Sequence, residues 1–188
     1  VTTLLVEDVK SVVEQWKPGA SYRDYFLALG SDAAITKILT GAAKLSKGEL
    51  AGERMVVAVE NQNQEDEQSC FSDNTHRDIY SNAQSIHNII IGSYQKTDGS
   101  SISGTSLLDV LKLVNANDAN TLSLTATEVM DKVTGISDTG YFDNQIMIET
   151  IDNFDNPVMS AVKTLRKQGD ELAKAGKSIT GNTIDPSV

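Results

Sequence analysis

Five carboxylates, the only cysteine and one of the two histidines fall within fifteen consecutive positions, Gln64 to Asp78, "QEDEQSCFSDNTHRD". Hard cations gather several carboxylate and carbonyl oxygens, so Glu65, Asp66, Glu67 and Asp73 offer the donors for calcium or iron. The competing reading is a solvated acidic loop, which is what most charge runs are. The donor order does not match an EF-hand, because no glycine stands at the central turn and the donors do not alternate. Cys70-Phe71 interrupts the acidic run with two side chains that usually prefer burial, which predicts a loop of defined shape with both turned inward.

His76 is expected in the first turn of a helix, where the positive helix end disfavours imidazolium and leaves a neutral ring able to ligate a metal or accept a proton. The plainer alternative is a half-exposed residue bonded to a neighbouring Asp or Ser. His87 borders an apolar stripe and reads as a histidine at the edge of the core. Eleven residues of helix separate the two histidines, about 16 Å at 1.5 Å per residue, so they cannot share one ion. No HExxH or HxxE pattern occurs in the sequence. Cys70 lacks the flanking histidine and glycine-rich turn of a nucleophile, and burial as a small hydrophobe is the simpler role. Arg54 precedes the loop closely enough to pair with one of its carboxylates and hold it in place.

Helices must position these groups. Leu5, Val9, Val12, Val13 and Trp16 recur at helical spacing until Pro18-Gly19 stops the run. A second run starts after the capping pair Ser31-Asp32 and carries Ile35, Ile38, Leu39, Ala42, Ala43 and Leu45 towards "ELAGERM". "VVAVE" (56–60) ends that helix or forms an extended connector. Thr75 to Asp78 matches the Ser/Thr-x-x-Asp/Glu capping pattern, and Ile79, Ala83, Ile86 and Ile90 then keep a stripe to Gly92. Residues 97–104 read as a flexible loop, 106–114 as a short helix and 115–118 as a turn or cap. Leu122, Ala126, Val129, Met130 and Val133 predict a helix ending near Gly135. Residues 137–146 read as a loop with Tyr141-Phe142 packed. A last helix over 156–175 starts with Pro157 in its first turn, and a tail follows to Val188. With five to seven helices and no convincing strand, the expectation is an all-α helical bundle.

The 188 residues carry a formal charge of −10 and 39% hydrophobic residues, a globular composition that argues against nucleic acid or an anionic membrane as the main partner. A lone cysteine allows no intrachain disulfide. No apolar run approaches the roughly 18 to 20 residues of a transmembrane segment. The sequence opens mid-pattern without Met, as a mature product or a fragment would.

"LAGERM" (50–55), "NQEDEQSCFSDNTHRDI" (63–79) and "NAQSIHNIIIGSY" (82–94) closely resemble the imelysin family, also called iron-regulated protein A-like. Weaker similarity extends through "LLVEDVKSVVEQWKPGASYRDYF" and "YFDNQI". The resemblance implies an envelope-associated bacterial protein, periplasmic or outer-membrane-associated, linked to iron uptake. It implies a duplicated fold of two helical bundles with the site where the halves meet, residues 1–188 being the C-terminal one. The family's peptidase label rests on an HxxE motif of the N-terminal half, and none of its residues can be carried over. What carries over is a ligand-binding set of Arg54, Glu65, Asp66, Glu67, Asp73, Asn74 and His76, with Glu67, Asp73 and His76 as metal ligands for iron or another divalent cation. The implied partners are that N-terminal half and iron- or haem-uptake components. Gln68 stands where many relatives have histidine, which would weaken or retune a cation site. Three readings follow: a binding module, a metallopeptidase whose metal motif lies in the other half, and a structural plug that fixes the helix after the loop.

Overall fold

The structure, a computed structural model, describes residues 1–147 and 156–187. It is all-α: α1 (Thr2–Gln15), α2 (Ser21–Ala28), α3 (Ser31–Lys44), a wide π-helix (Leu45–Met55), α4 (Val56–Asn61), α5 (Thr75–Ile91), α6 (Leu107–Val114), α7 (Ala116–Asp138), α8 (Asp143–Ile146) and α9 (Pro157–Thr180). Among the described residues, no single helix is long and apolar enough to cross a membrane. The tail follows α9, and its last residue, Val188, lies outside the described residues.

The bundle packs α9 against α3, the π-helix and α7, with α5 on the other side of α7. Two apolar clusters fill it. One joins Leu50 and Met55 of the π-helix, Val59, Ile79, Val133, Phe142, Ile146 and Leu165, and it underlies the start of α5. The other joins Leu39, Ile86, Ile90, Leu111, Leu122 and Leu172 at the far end. Truncating any of these large side chains to alanine costs about 2–5 kcal/mol, because the cavity left behind closes only in part. Helices approach closely at Gly169, where a Cβ would lie 2.5 Å from Lys47 Cβ and 3.0 Å from the Ala43 carbonyl.

Several local expectations change. "VVAVE" is helical as α4, not an extended connector. Ser93–Gln95 pairs with Ser101–Ser103 in a two-stranded antiparallel hairpin, where a flexible loop over 97–104 and no strand were expected. Asn115 caps α7 by accepting from the Asp118 N–H, so this helix begins at 116 and runs past Gly135 to Asp138. Asn156 caps α9 ahead of Pro157 by accepting from the Val158 and Met159 N–H groups, and the helix extends to Thr180. Tyr141 and Phe142 divide: Phe142 is buried and Tyr141 is 57% exposed.

The α1 stripe does not pack into the bundle. Helix α1 buries no residue, and α2, which the apolar periodicity does not single out, buries none either. The pair is held by Trp16, whose ring meets Tyr22 at 5.1 Å and Phe26 at 5.4 Å, edge to face.

Candidate functional site

The acidic loop is shaped by two short turns and two left-handed residues. Asn61 and Asn63 start it: Asn61 Nδ2 donates to Asp66 at 2.7 Å, and Asn63 Oδ1 accepts from the Glu65 N–H. A single 3-10 turn spans Gln64–Asp66 and a second spans Cys70–Ser72. Gln62 and Asp73, both at φ 48°, bend the chain at either end. Asp and Asn tolerate this left-handed conformation better than most residues, and Asp73 uses it to turn the chain into α5.

The loop is inside out relative to the expectation. Phe71 is 97% exposed and Cys70 is only half-buried. The inward positions are taken by Glu67 (5% exposed), Thr75 (0%) and His76 (9%). The capping box at Thr75 is also absent. Asn74, not Thr75, is the residue before the helix, and no side chain caps it. The Thr75 hydroxyl instead accepts from the Ser69 N–H at 3.1 Å, while the Ser69 hydroxyl donates to Asp78. Both residues of the expected cap thus tie the loop to α5.

Glu67 is the chemically unusual group. Both carboxyl oxygens are shut away from solvent, and among the described residues no donor meets them in full hydrogen-bond geometry, though the Thr75 hydroxyl and the Asp143 carboxyl lie close enough to act on them. Its polar neighbours are the Asp143 carboxyl, the Thr75 hydroxyl and, as a charge, Asp73. Burial first, then the neighbouring Asp143 carboxyl, raises the Glu67 pKa to about 7, with the Thr75 hydroxyl acting in the opposite direction. The His76 imidazole packs edge-on to Tyr141 at 5.9 Å, and its Nδ1 is buried without a hydrogen-bond partner among the described residues. A hollow of about 290 Å³ opens at His76, lined also by Asp73, Asn74, Arg77, Gly140 and Tyr141 together with Ser72.

Of the expected ligand set, Asp73, Asn74 and His76 share this hollow, and Glu67 lies buried beside Thr75 and Asp143. Glu65 is exposed, and Asp66 is half-buried and engaged with Asn61. Arg54 does not pair with the acidic loop. Its guanidinium bonds Glu49 at 2.6 Å and Asn82 Oδ1 at 3.2 Å, since the π-helix turns it towards its own preceding turn and the side of α5. Among the described residues no group of three or more His, Cys, Asp or Glu side chains is placed to hold a metal ion, and Glu67, Asp73 and His76 do not form one. Asp73 stays exposed at the turn while Glu67 and His76 point into the fold. His87 sits at the core edge, half-buried, with burial lowering its pKa.

Asp143, Tyr141 and Gly140 belong to the site and were not among the expected residues. Gly140 and Tyr141 come from the link between α7 and α8, and Asp143 is the first residue of α8, about 65 residues downstream of the loop, as the numbering shows. Their signal in the sequence is the "YFDNQI" stretch, a polar and aromatic segment inside an otherwise regular helical pattern. The arrangement can hold a polar ligand against an aromatic edge, with Arg77 and Asp73 as exposed charges of opposite sign and the buried Glu67 acid within electrostatic reach of Asp73.

Residues 1–172 match the family model described as Imelysin. No curated protein matches the chain.

Proposed function

The chain belongs to the imelysin family, and from that premise we propose that it serves bacterial iron uptake at the cell envelope, using the hollow at the start of α5 as its ligand face. The observation that carries this reading is the buried His76 Nδ1, without a hydrogen-bond partner among the described residues, in the wall of an open polar hollow. Buried polar atoms without partners are rare in folded proteins and recur at sites that meet a ligand.

The ligand is iron, an iron carrier or a protein. Because no three donors converge among the described residues, an iron ion held here takes further donors from its carrier or from another part of the protein, the N-terminal half being the first candidate. A ligand that arrives with its own donors therefore fits best. Such a ligand would use Arg77 or Asp73 for charge pairing, Tyr141 for stacking and His76 for a hydrogen bond.

The test is equilibrium binding of ferric citrate and of iron salt alone to the intact protein, compared with a Asp73→Asn/His76→Ala variant of unchanged helical content. Loss of about tenfold or more in affinity is expected, the scale of one charge-assisted hydrogen bond. Equal binding by the variant would sink the proposal. The peptidase reading makes a different demand, chelator-sensitive cleavage that returns when metal is restored, and the same preparation can be assayed for it.

A further inference from the structure

Taking the hollow at the start of α5 as the ligand face, a premise shared with the proposed function, we propose that it recognises its ligand by a carboxylate group and not by a bare metal ion. Arg77 and the N-terminal end of α5 hold that carboxylate. Asn74, His76 and Arg77 are the N-cap and the second and third residues of α5, so one wall of the hollow is the first turn of a 17-residue helix. The aligned peptide dipoles of such a helix place about half a positive charge at this end, and no side chain caps it. Anions bind at helix ends of this kind.

The side chains of the wall give a second, independent reason. His76 is 9% exposed, and its Nδ1 has no hydrogen-bond partner among the described residues. The wall thus carries a buried polar group that the fold leaves unsatisfied. An oxyanion accepts from an imidazole N–H, whereas a metal ion needs an unprotonated ring nitrogen and several further donors. Among the described residues no three His, Cys, Asp or Glu side chains converge, and Asp73 is the one acid among the residues that line the hollow. Arg77 is exposed, and none of the ion pairs among the described residues uses it. Its guanidinium fork matches the two oxygens of a carboxylate. Asp73 opposes this charge: Arg77 and the helix end outweigh it by only about half a unit, which makes the binding of a lone carboxylate weak.

The test is equilibrium titration of the intact protein with iron-free citrate over about 0.01 to 10 mM at low ionic strength, beside ferric citrate and iron salt alone. Iron-free citrate should bind and should displace ferric citrate. Arg77→Gln should weaken citrate binding about tenfold, the scale of one charge-assisted hydrogen bond. That variant should melt at the parent temperature, because the side chain is exposed. Asp73→Asn should tighten the binding of iron-free citrate by removing a like charge. Weakening by that change would mark a cation site and overturn the proposal. Citrate that does not bind, or that binds Arg77→Gln as tightly as the parent, overturns it while leaving the iron reading standing if ferric citrate still binds. Iron salt alone binding as tightly as ferric citrate overturns it too. Citrate that binds while iron binds in neither form upholds the carboxylate site and removes the iron reading instead.

Discussion

Helices α5 and α6 carry the same start signal and use it differently. At α6, Ser106 and Asp109 form a complete capping box, the serine hydroxyl accepting from the Asp109 N–H at 3.0 Å and the Asp109 carboxylate accepting from the Ser106 N–H at 3.0 Å. At α5, Thr75 and Asp78 stand in the same order and make no box. Their oxygens accept from Ser69 instead. A helix start that only has to begin a helix uses its polar side chains on itself. The start beside the hollow uses them on the neighbouring loop. The sequence signature is the same in both, and the difference lies in what the preceding chain needs.

The strongest way to break this comparison acts on the junction the two helices share. Gly92 ends α5 at φ 65°, and a Cβ there would lie 2.7 Å from Ser106 Cα and 2.8 Å from the Gly104 carbonyl oxygen. Gly92→Ala should therefore cost upwards of about 3 kcal/mol in chemical denaturation, combining left-handed strain with a backbone clash. It should unseat the α6 cap while leaving the start of α5 in place, which amide exchange at the two helix starts would resolve.

The next effect is a pH dependence that belongs to the α5 start alone. Glu67 binds its proton up to about pH 7 in the fold, against an ordinary value of 4.5. Between those values the folded chain holds more proton than the unfolded one, so stability falls as pH rises from 4.5 to 7 and stays lowered above it. The fall should be on the order of 2 kcal/mol, and Glu67→Gln should flatten it. A parent profile as flat as the variant's across that window would show that Glu67 is ionised throughout.

A smaller pair of effects sharpens the comparison directly. Thr75→Ala removes the acceptor of the Ser69 N–H and should cost about 1–3 kcal/mol while also weakening ligand binding at the hollow. Ser106→Ala should cost about 1 kcal/mol, the usual value of a lost cap, and leave that binding unchanged. Matched denaturation and binding curves for the two variants test this. Equal effects on binding would remove the distinction between the two starts.

The bundle was legible because its stripes are long and regular. Ile79, Ala83, Ile86 and Ile90 mark one face of α5, and all four are buried. The site was legible as a segment but not as a geometry. Composition points to residues 64–78, but side-chain type does not decide direction where the backbone leaves regular structure. Phe71 faces out and Glu67 faces in because the turn at Cys70–Ser72 and the left-handed Asp73 set the direction of each side chain. Asp143 and Tyr141 could not be placed by pattern, since it is the tertiary packing of α8 against α4 and α9 that brings their segment to the loop. Likewise, the α1 stripe predicts an apolar face and says nothing of what covers it.

The eleven residues from Leu45 to Met55 coil more widely than the α-helices on either side. A wider coil turns less per residue, so each residue in it delays the rotation of everything downstream. Arg54, α4 and the point where the acidic loop leaves the bundle are therefore aimed by a count of residues between Lys44 and Val56 more than by their identities. Phase along this helix works like an index setting.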